Sequence, residues 1–409
     1  MTPLSRRDLL ATLGLVLPPP RFAAAEPQDG WVPLFDGGSL SGWKANQPAS
    51  WSVAGGAIVA DGGRSHLFYT GAEFKNFEFS AEVMTRPHAN SGIFFHTVFQ
   101  PDGWPAEGFQ VEVNNTALVE GRGPEPQKTG SLFGVRNVYK QFADDGDWFT
   151  LLLTVRDKSV QVRLNDLLLV DYLEPSPPLR AAGQSKGRVL GRGTFALQCH
   201  DPGSKAQFRN LRVRRLPDTI ASPTVKAPLA DGVSQQILDL MARTVPVVDY
   251  RVRLEGRPLD EVLDDSRHTG IECGIVARSD ELADDREARR FLASTKDQPC
   301  FVGLEATGMD WRTKFSADVL RAFDYVVGAN GGEGIDLVAD ASSDSEIDAA
   351  VRRGTALEIG SHTTADFVQR AKAAGARFTL GGGGRLERSM SIAAGCKLEW
   401  RDFFIPERK

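Results

Sequence analysis

The period of the hydrophobic residues changes once along this chain, and that change divides it. Up to about residue 215, apolar side chains recur at every second position in short runs. Phe77, Phe79, Ala81 and Val83 alternate with Glu78, Ser80 and Glu82, and Leu211 and Val213 with Arg212 and Arg214. A period of two sends successive side chains to opposite faces of a strand. Many such runs, bounded by turns like Ala54-Gly55-Gly56 and Asp61-Gly62-Gly63, predict an all-β sandwich or jelly roll. From Val245 onward, apolar runs alternate with amphipathic segments, such as Cys300–Leu304, Tyr325–Val327, Leu357–Ile359 and the helical pattern of 365–374. That alternation predicts a parallel α/β sheet or barrel. Two domains suit a chain of 409 residues. They are expected at 31–217 and 230–409, joined by a Pro-, Ser- and Ala-containing linker at 218–229.

Ahead of the first domain, Ser5-Arg6-Arg7-Asp8 precedes an apolar run from Leu9 to Leu17 and the small residues Ala23-Ala24-Ala25. This layout predicts a twin-arginine export signal over 1–25 and a periplasmic or extracellular protein. The run is too short to span a bilayer, and no later one is long enough. A net charge of -5 offers no basic footprint for nucleic acid. Cys199, Cys273, Cys300 and Cys396 show no C-x-x-C spacing and read as buried free thiols.

One strand carries an unusual polar face. In Gly108-Phe109-Gln110-Val111-Glu112-Val113-Asn114, the polar set is amides and a carboxylate rather than lysine and arginine. Such groups hydrogen-bond sugar hydroxyls well. By parity, His96 shares a face with Phe94 on the run 92–98, and Gln198 shares one with His200 on the run 194–200. On a curved sheet these groups would converge in a polar cleft. Trp104, Tyr139 and Trp148 are candidate platforms for sugar rings, and Asp201 beside His200 would raise the basicity of that imidazole.

Nine spaced blocks of this half resemble one family. They include Phe35-Asp36-Gly37, Leu40-Ser41-Gly42-Trp43, Asn90-Ser91-Gly92-Ile93, Lys128-Thr129-Gly130-Ser131, Leu197-Gln198-Cys199-His200-Asp201 and Phe208-Arg209-Asn210-Leu211. The chain is similar to the 3-keto-disaccharide hydrolases, also called 3-keto-glucoside-1,2-lyases and 3-keto-2-hydroxy-glucal hydratases. The resemblance implies a concanavalin-like jelly roll and a carbohydrate or glycoside substrate oxidised at carbon 3. That ketone acidifies the proton on carbon 2, so a base can remove it and the group on carbon 1 leaves by elimination. The enolate oxygen needs a hydrogen-bond donor or a divalent metal. The route makes no oxocarbenium ion, so one clear carboxylate, Glu112, suffices. The resemblance then implies Glu112 or His200 as the base, with His96 a third catalytic candidate. Asn90, Gln110, Asn114, Lys128, Trp148 and Gln198 would bind the sugar. Relatives carry Glu and Gln in the order opposite to Gln110 and Glu112, and His96 stands where an arginine is common.

The second half is similar to the polymerase-and-histidinol-phosphatase (PHP) barrel. Its first strand should end in Asp-x-His-x-His, but here it reads Asp249-Tyr250-Arg251-Val252-Arg253. Arginine is permanently cationic and repels a metal. A degenerate barrel without a metal is expected, with its arginines available to an anion or a partner. Two other readings stay open: a non-catalytic carbohydrate-binding module on a scaffold, or a metal phosphoesterase to which the jelly roll recruits substrate.

Overall fold

A computed structural model of the chain describes residues 30–119, 123–223, 231–382 and 386–407. The expected signal at 1–25 and residues 224–229 of the expected linker lie outside the described residues. The first domain is two antiparallel sheets packed face to face. The larger orders its strands as Leu167–Leu173, Ser159–Leu164, Phe149–Arg156, Phe77–Thr85, Lys205–Arg215, Ala57–Asp61 and Trp51–Ala54, and Trp31–Pro33 also pairs with Lys205–Arg215. The smaller runs Trp43–Ala45, Ser65–Tyr69, Thr194–Cys199, Asn90–Thr97 and Phe109–Asn114. The odd positions of each run meet in the core. Phe77, Phe79, Leu151 and Leu153 face Phe95, Phe109, Val111 and Phe195, with the Phe79 and Phe195 rings 4.5 Å apart. Each such side chain adds about 1.5–3 kcal/mol on burial.

The opposite face of the smaller sheet is also covered. Phe99 and Trp104 lie against Phe68 and His66. Phe109–Asn114 is an edge strand, and an exposed edge invites pairing with other chains. The segment 129–133 occupies it. The N–H groups of Thr129, Gly130 and Phe133 donate to the carbonyls of Asn114, Glu112 and Gln110, and the Glu112 N–H donates to Ser131.

The same segment runs on into the second domain. The Tyr139 N–H donates to Glu272 Oε2 (2.8 Å), Lys140 Nζ pairs with Asp324 (2.6 Å), and Arg136 donates to the His268 carbonyl (3.2 Å).

The second domain is a parallel sheet of seven strands in sequence order: Val248–Val252, Glu272–Arg278, Phe301–Ala306, Tyr325–Gly328, Leu337–Val338, Ala356–Ile359 and Arg377–Leu380. Its first and last strands lie side by side, so the sheet is nearly closed. Helices Leu259–Thr269, Asp285–Thr295, Ala317–Ala322, Asp344–Arg353 and Ala365–Ala373 follow successive strands. No helix joins Tyr325–Gly328 to Leu337–Val338. Tyr250, Phe301, Tyr325 and Phe404 fill the interior. Gly274 and Gly303 make room there, because a Cβ on either would overlap the Tyr325 ring. All four cysteines are free and buried. No described helix is long and apolar enough to cross a membrane.

Candidate active site

Strand register lines up His66, Gln198, Gly92 and Glu112 in one row across the smaller sheet. The adjacent row is Phe68, Ala196, Phe94 and Gln110. Gly92 leaves a gap in the first row, and Gln110 lies across it. A Cβ on Gly92 would overlap Gln110 Nε2 and come within 2.9 Å of its Cγ and Cδ. Through this gap Gln110 Nε2 reaches Gln198 Oε1 (2.9 Å) and Glu112 Oε2 (3.0 Å).

Glu112 is only 2% exposed. Burial drives its carboxyl well above the ordinary carboxylate value, a nearby Glu125 charge pushes the same way, and Arg188 opposes them. Burial also raises Glu125, which His200, Lys128 and a 2.6 Å hydrogen bond from Asn90 Nδ2 pull back down. Two coupled carboxyls that differ in their surroundings are the arrangement that separates an acid from a base.

Around them several polar atoms lack protein partners. Both ring nitrogens of His66, Asn90 Oδ1 and Arg188 Nη1 are buried without a hydrogen bond. Burial lowers His66 to about 4, so it is a neutral imidazole at neutral pH. Buried polar groups are normally paired, and an unpaired one costs about 1–3 kcal/mol. A group of them beside a buried carboxylate is what a hydroxyl-rich ligand would satisfy.

The other expected residues fall in three ways. His200 stands at the rim, with Nδ1 donating to Asp201 (2.8 Å) and its ring 5.1 Å from Trp104. Trp104 is 44% exposed. Lys128 is held at Glu125 by its Nζ donating to the Glu125 carbonyl (2.9 Å). Asn114 stays on the polar side of its strand, opposite Asn90, but its amide is spent on the backbone. Its Nδ2 donates to Gln127 O and its Oδ1 accepts from Ala117 N.

Three expectations need correction. His96 does not join the cluster. It has a φ of 54°, and the pairing with Thr194–Cys199 slips one residue there. This bulge turns the ring against Phe77 and Phe95, where Nε2 donates to Lys75 O (2.8 Å) and Nδ1 accepts from Gly191 N (3.1 Å). Trp148 leads into a strand of the larger sheet and packs under the Arg209 guanidinium, 3.9 Å from its ring. Tyr139 is buried in the domain contact, its hydroxyl donating to Val245 O (3.2 Å).

Three members of the cluster were not legible in the sequence. Glu125 and Arg188 sit in irregular segments with no periodicity, and His66 is one imidazole inside the apolar run Ser65–Tyr69. The expectation of one carboxylate therefore becomes two.

At the mouth of the second domain's sheet, a bulge between Asp249 and Val252 turns Arg251 inward. Arg251 pairs with Glu305 (3.0 Å) and Glu358 (3.1 Å), and Arg253 pairs with Glu305. Both arginines are thus neutralised from within, which corrects the expectation that they were available to an outside anion. Among the described residues no three His, Cys, Asp or Glu gather as a metal site.

No curated protein matches this chain. Among solved structures, a Parabacteroides distasonis protein named as a glycosyl hydrolase is 23% identical, with a TM-score of 0.41, over 46% of this chain and 95% of that one. The carbohydrate-binding module CBM66 of Bacillus subtilis is 15% identical, with a TM-score of 0.30, over 42% and 95%. A Bacillus subtilis protein with a galectin-like fold is 10% identical, with a TM-score of 0.31, over 43% and 90%. Residues 30–214 match the family model of the 3-keto-alpha-glucoside-1,2-lyase-like domain.

Proposed function

We propose that the first domain cleaves 3-keto-glycosides by proton abstraction at carbon 2 and elimination at carbon 1. The observation that carries this reading is Glu112. It is a buried carboxyl with a raised pKa, set among unpaired polar atoms in the domain whose family model matches. In its ionised form, which Arg188 favours against burial, a carboxylate of raised pKa is the stronger base and suits removal of a carbon-bound proton. In this scheme Glu112 takes the carbon 2 proton, and Arg188 with the amide nitrogen of Gln198 donates to the oxygen that becomes the enolate. The bond from carbon 1 to the leaving oxygen breaks, and Glu125, itself raised by burial, returns a proton to that oxygen. His200 with Asp201 stands at the rim to guide water back onto the enone.

The test is release of the aglycone from a 3-keto-glucoside. Glu112→Gln should lower kcat at least 100-fold, as removal of a general base does; unchanged turnover removes Glu112 from the chemistry. The coupled pair Glu112 and Glu125 supports a second reading, ordinary two-carboxylate glycoside hydrolysis. Cleavage of the unoxidised glucoside at a comparable rate selects it.

We read the second domain as a PHP-like barrel in which the Arg251 ion pairs stand in the metal position. The protein would be exported, guided by the Arg6-Arg7 segment.

A further inference from the structure

A cleft of about 1050 Å³ separates the two domains. One wall belongs to the sugar site, because Glu125 and Lys128 line the cleft. Glu125 accepts a hydrogen bond from Asn90, whose strand pairs with that of Glu112, and its charge acts on Glu112, so the cleft and the buried cluster meet at one carboxyl.

The other wall belongs to the second domain and has a different character. Of its aromatic residues Trp400 is half-buried and lies against Gly123, two residues before Glu125, and the wall holds only one amide, Gln298, among the described residues. It also carries exposed cations, of which Lys296 and Arg321 have no acidic partner among the described residues. Its acids Asp297, Asp324 and Glu407 are outnumbered by Arg289, Lys296, Arg321, Arg377 and Arg401, and Asp324 is held by Lys140. An accessible indole with unpaired cations on the same wall suits a flat group bearing negative charge.

We propose that this cleft is the leaving-group subsite and that the second domain supplies its specificity for an aromatic acid. The inference rests on the proposed cleavage for its direction: the sugar lies over Glu112 and the aglycone points past Glu125 into the cleft. The second domain then selects the substrate without touching the reacting atoms, which accounts for a barrel whose own mouth is closed by ion pairs.

The experiment compares the 3-keto-glucosides of methanol, phenol and 4-hydroxybenzoate on the full chain. KM should fall at least tenfold from methyl to 4-carboxyphenyl, with phenyl between them. Trp400→Ala should raise KM for both aryl substrates, and Arg321→Glu only for the carboxyphenyl one, with methyl turnover unchanged in both variants. Equal KM values across the three substrates, or variants that affect all three alike, overturn the subsite. Binding of the unoxidised 4-carboxyphenyl glucoside, followed by calorimetry, separates the two claims. Binding that Trp400→Ala weakens tenfold supports the subsite even where no 3-keto substrate is cleaved, an outcome that defeats only the proposed chemistry. Absence of binding alongside normal methyl turnover defeats only the subsite.

Discussion

Replacing Gly92 by alanine tests the geometry of the polar row most directly. The added Cβ would occupy the path of the Gln110 side chain, overlapping Nε2 and approaching Cγ and Cδ to 2.9 Å. Moving the amide tip alone does not clear those two carbons, so Gln110 must leave the gap. It then loses its hydrogen bonds to Gln198 Oε1 and Glu112 Oε2. A neutral hydrogen bond contributes about 1 kcal/mol, and one to a charged group about 1.5–3 kcal/mol. Gly92→Ala should therefore cost the first domain about 2–4 kcal/mol. In a Gln110→Ala background the same substitution meets no side chain there and should cost under about 1 kcal/mol. The coupling of roughly 2 kcal/mol is read from urea unfolding of the wild type, both single variants and the double variant. Equal cost of Gly92→Ala in both backgrounds would refute the claim that Gly92 exists to let Gln110 cross. Under the proposed chemistry, Gly92→Ala should also lower kcat on a 3-keto-glucoside, because Glu112 loses the group that orients it.

Other outcomes are equally open to measurement. Glu272 is buried at the domain contact and its pKa is raised by burial from 4.5 to about 7. The folded chain holds that proton longer than the unfolded chain, so the contribution is fullest below about 4.5 and is lost as pH rises through 7. The loss is about 3 kcal/mol at 1.36 kcal/mol per pKa unit. Urea unfolding at pH 4 and pH 8 should show this drop in the wild type beyond that of Glu272→Gln; parallel pH profiles would contradict it. Arg251→Met would leave the buried Glu358 without its cation and Glu305 with Arg253 alone, at a cost of about 3–5 kcal/mol in denaturant unfolding. A change under 1 kcal/mol would mean the ion pairs hold nothing together. Changing Arg6-Arg7 to two lysines should stop export, seen as unprocessed chain in the cytoplasm; normal processing would point to the general secretory route.

The sequence was legible wherever a face could be counted. Alternation assigned Phe109, Val111 and Val113 to one side and Gln110, Glu112 and Asn114 to the other, and the register keeps them so. Counting failed at His96 because one left-handed residue breaks the alternation, and no local signal marks a bulge. Trp148 failed for another reason: which sheet a strand joins depends on pairing between distant segments. Glu125 and Arg188 reach the site from irregular loops, whose course follows from what they pack against. In the second domain the Asp249–Arg253 run showed two arginines at the end of the first strand, but their partners Glu305 and Glu358 lie 52 or more residues away.

The segment from Thr129 to Lys140 does two jobs at once, stitching the outer side of the strand that bears Glu112 and plugging its far end into the barrel. A tether of that kind carries force in both directions. Pulling the barrel away would tug on the backbone beneath the buried carboxyl, so a fragment ending at residue 217 should keep its sandwich while the strand that bears Glu112 frays along its free border. In this chain the neighbouring domain serves as a brace for the sheet as well as one wall of the cleft beside it.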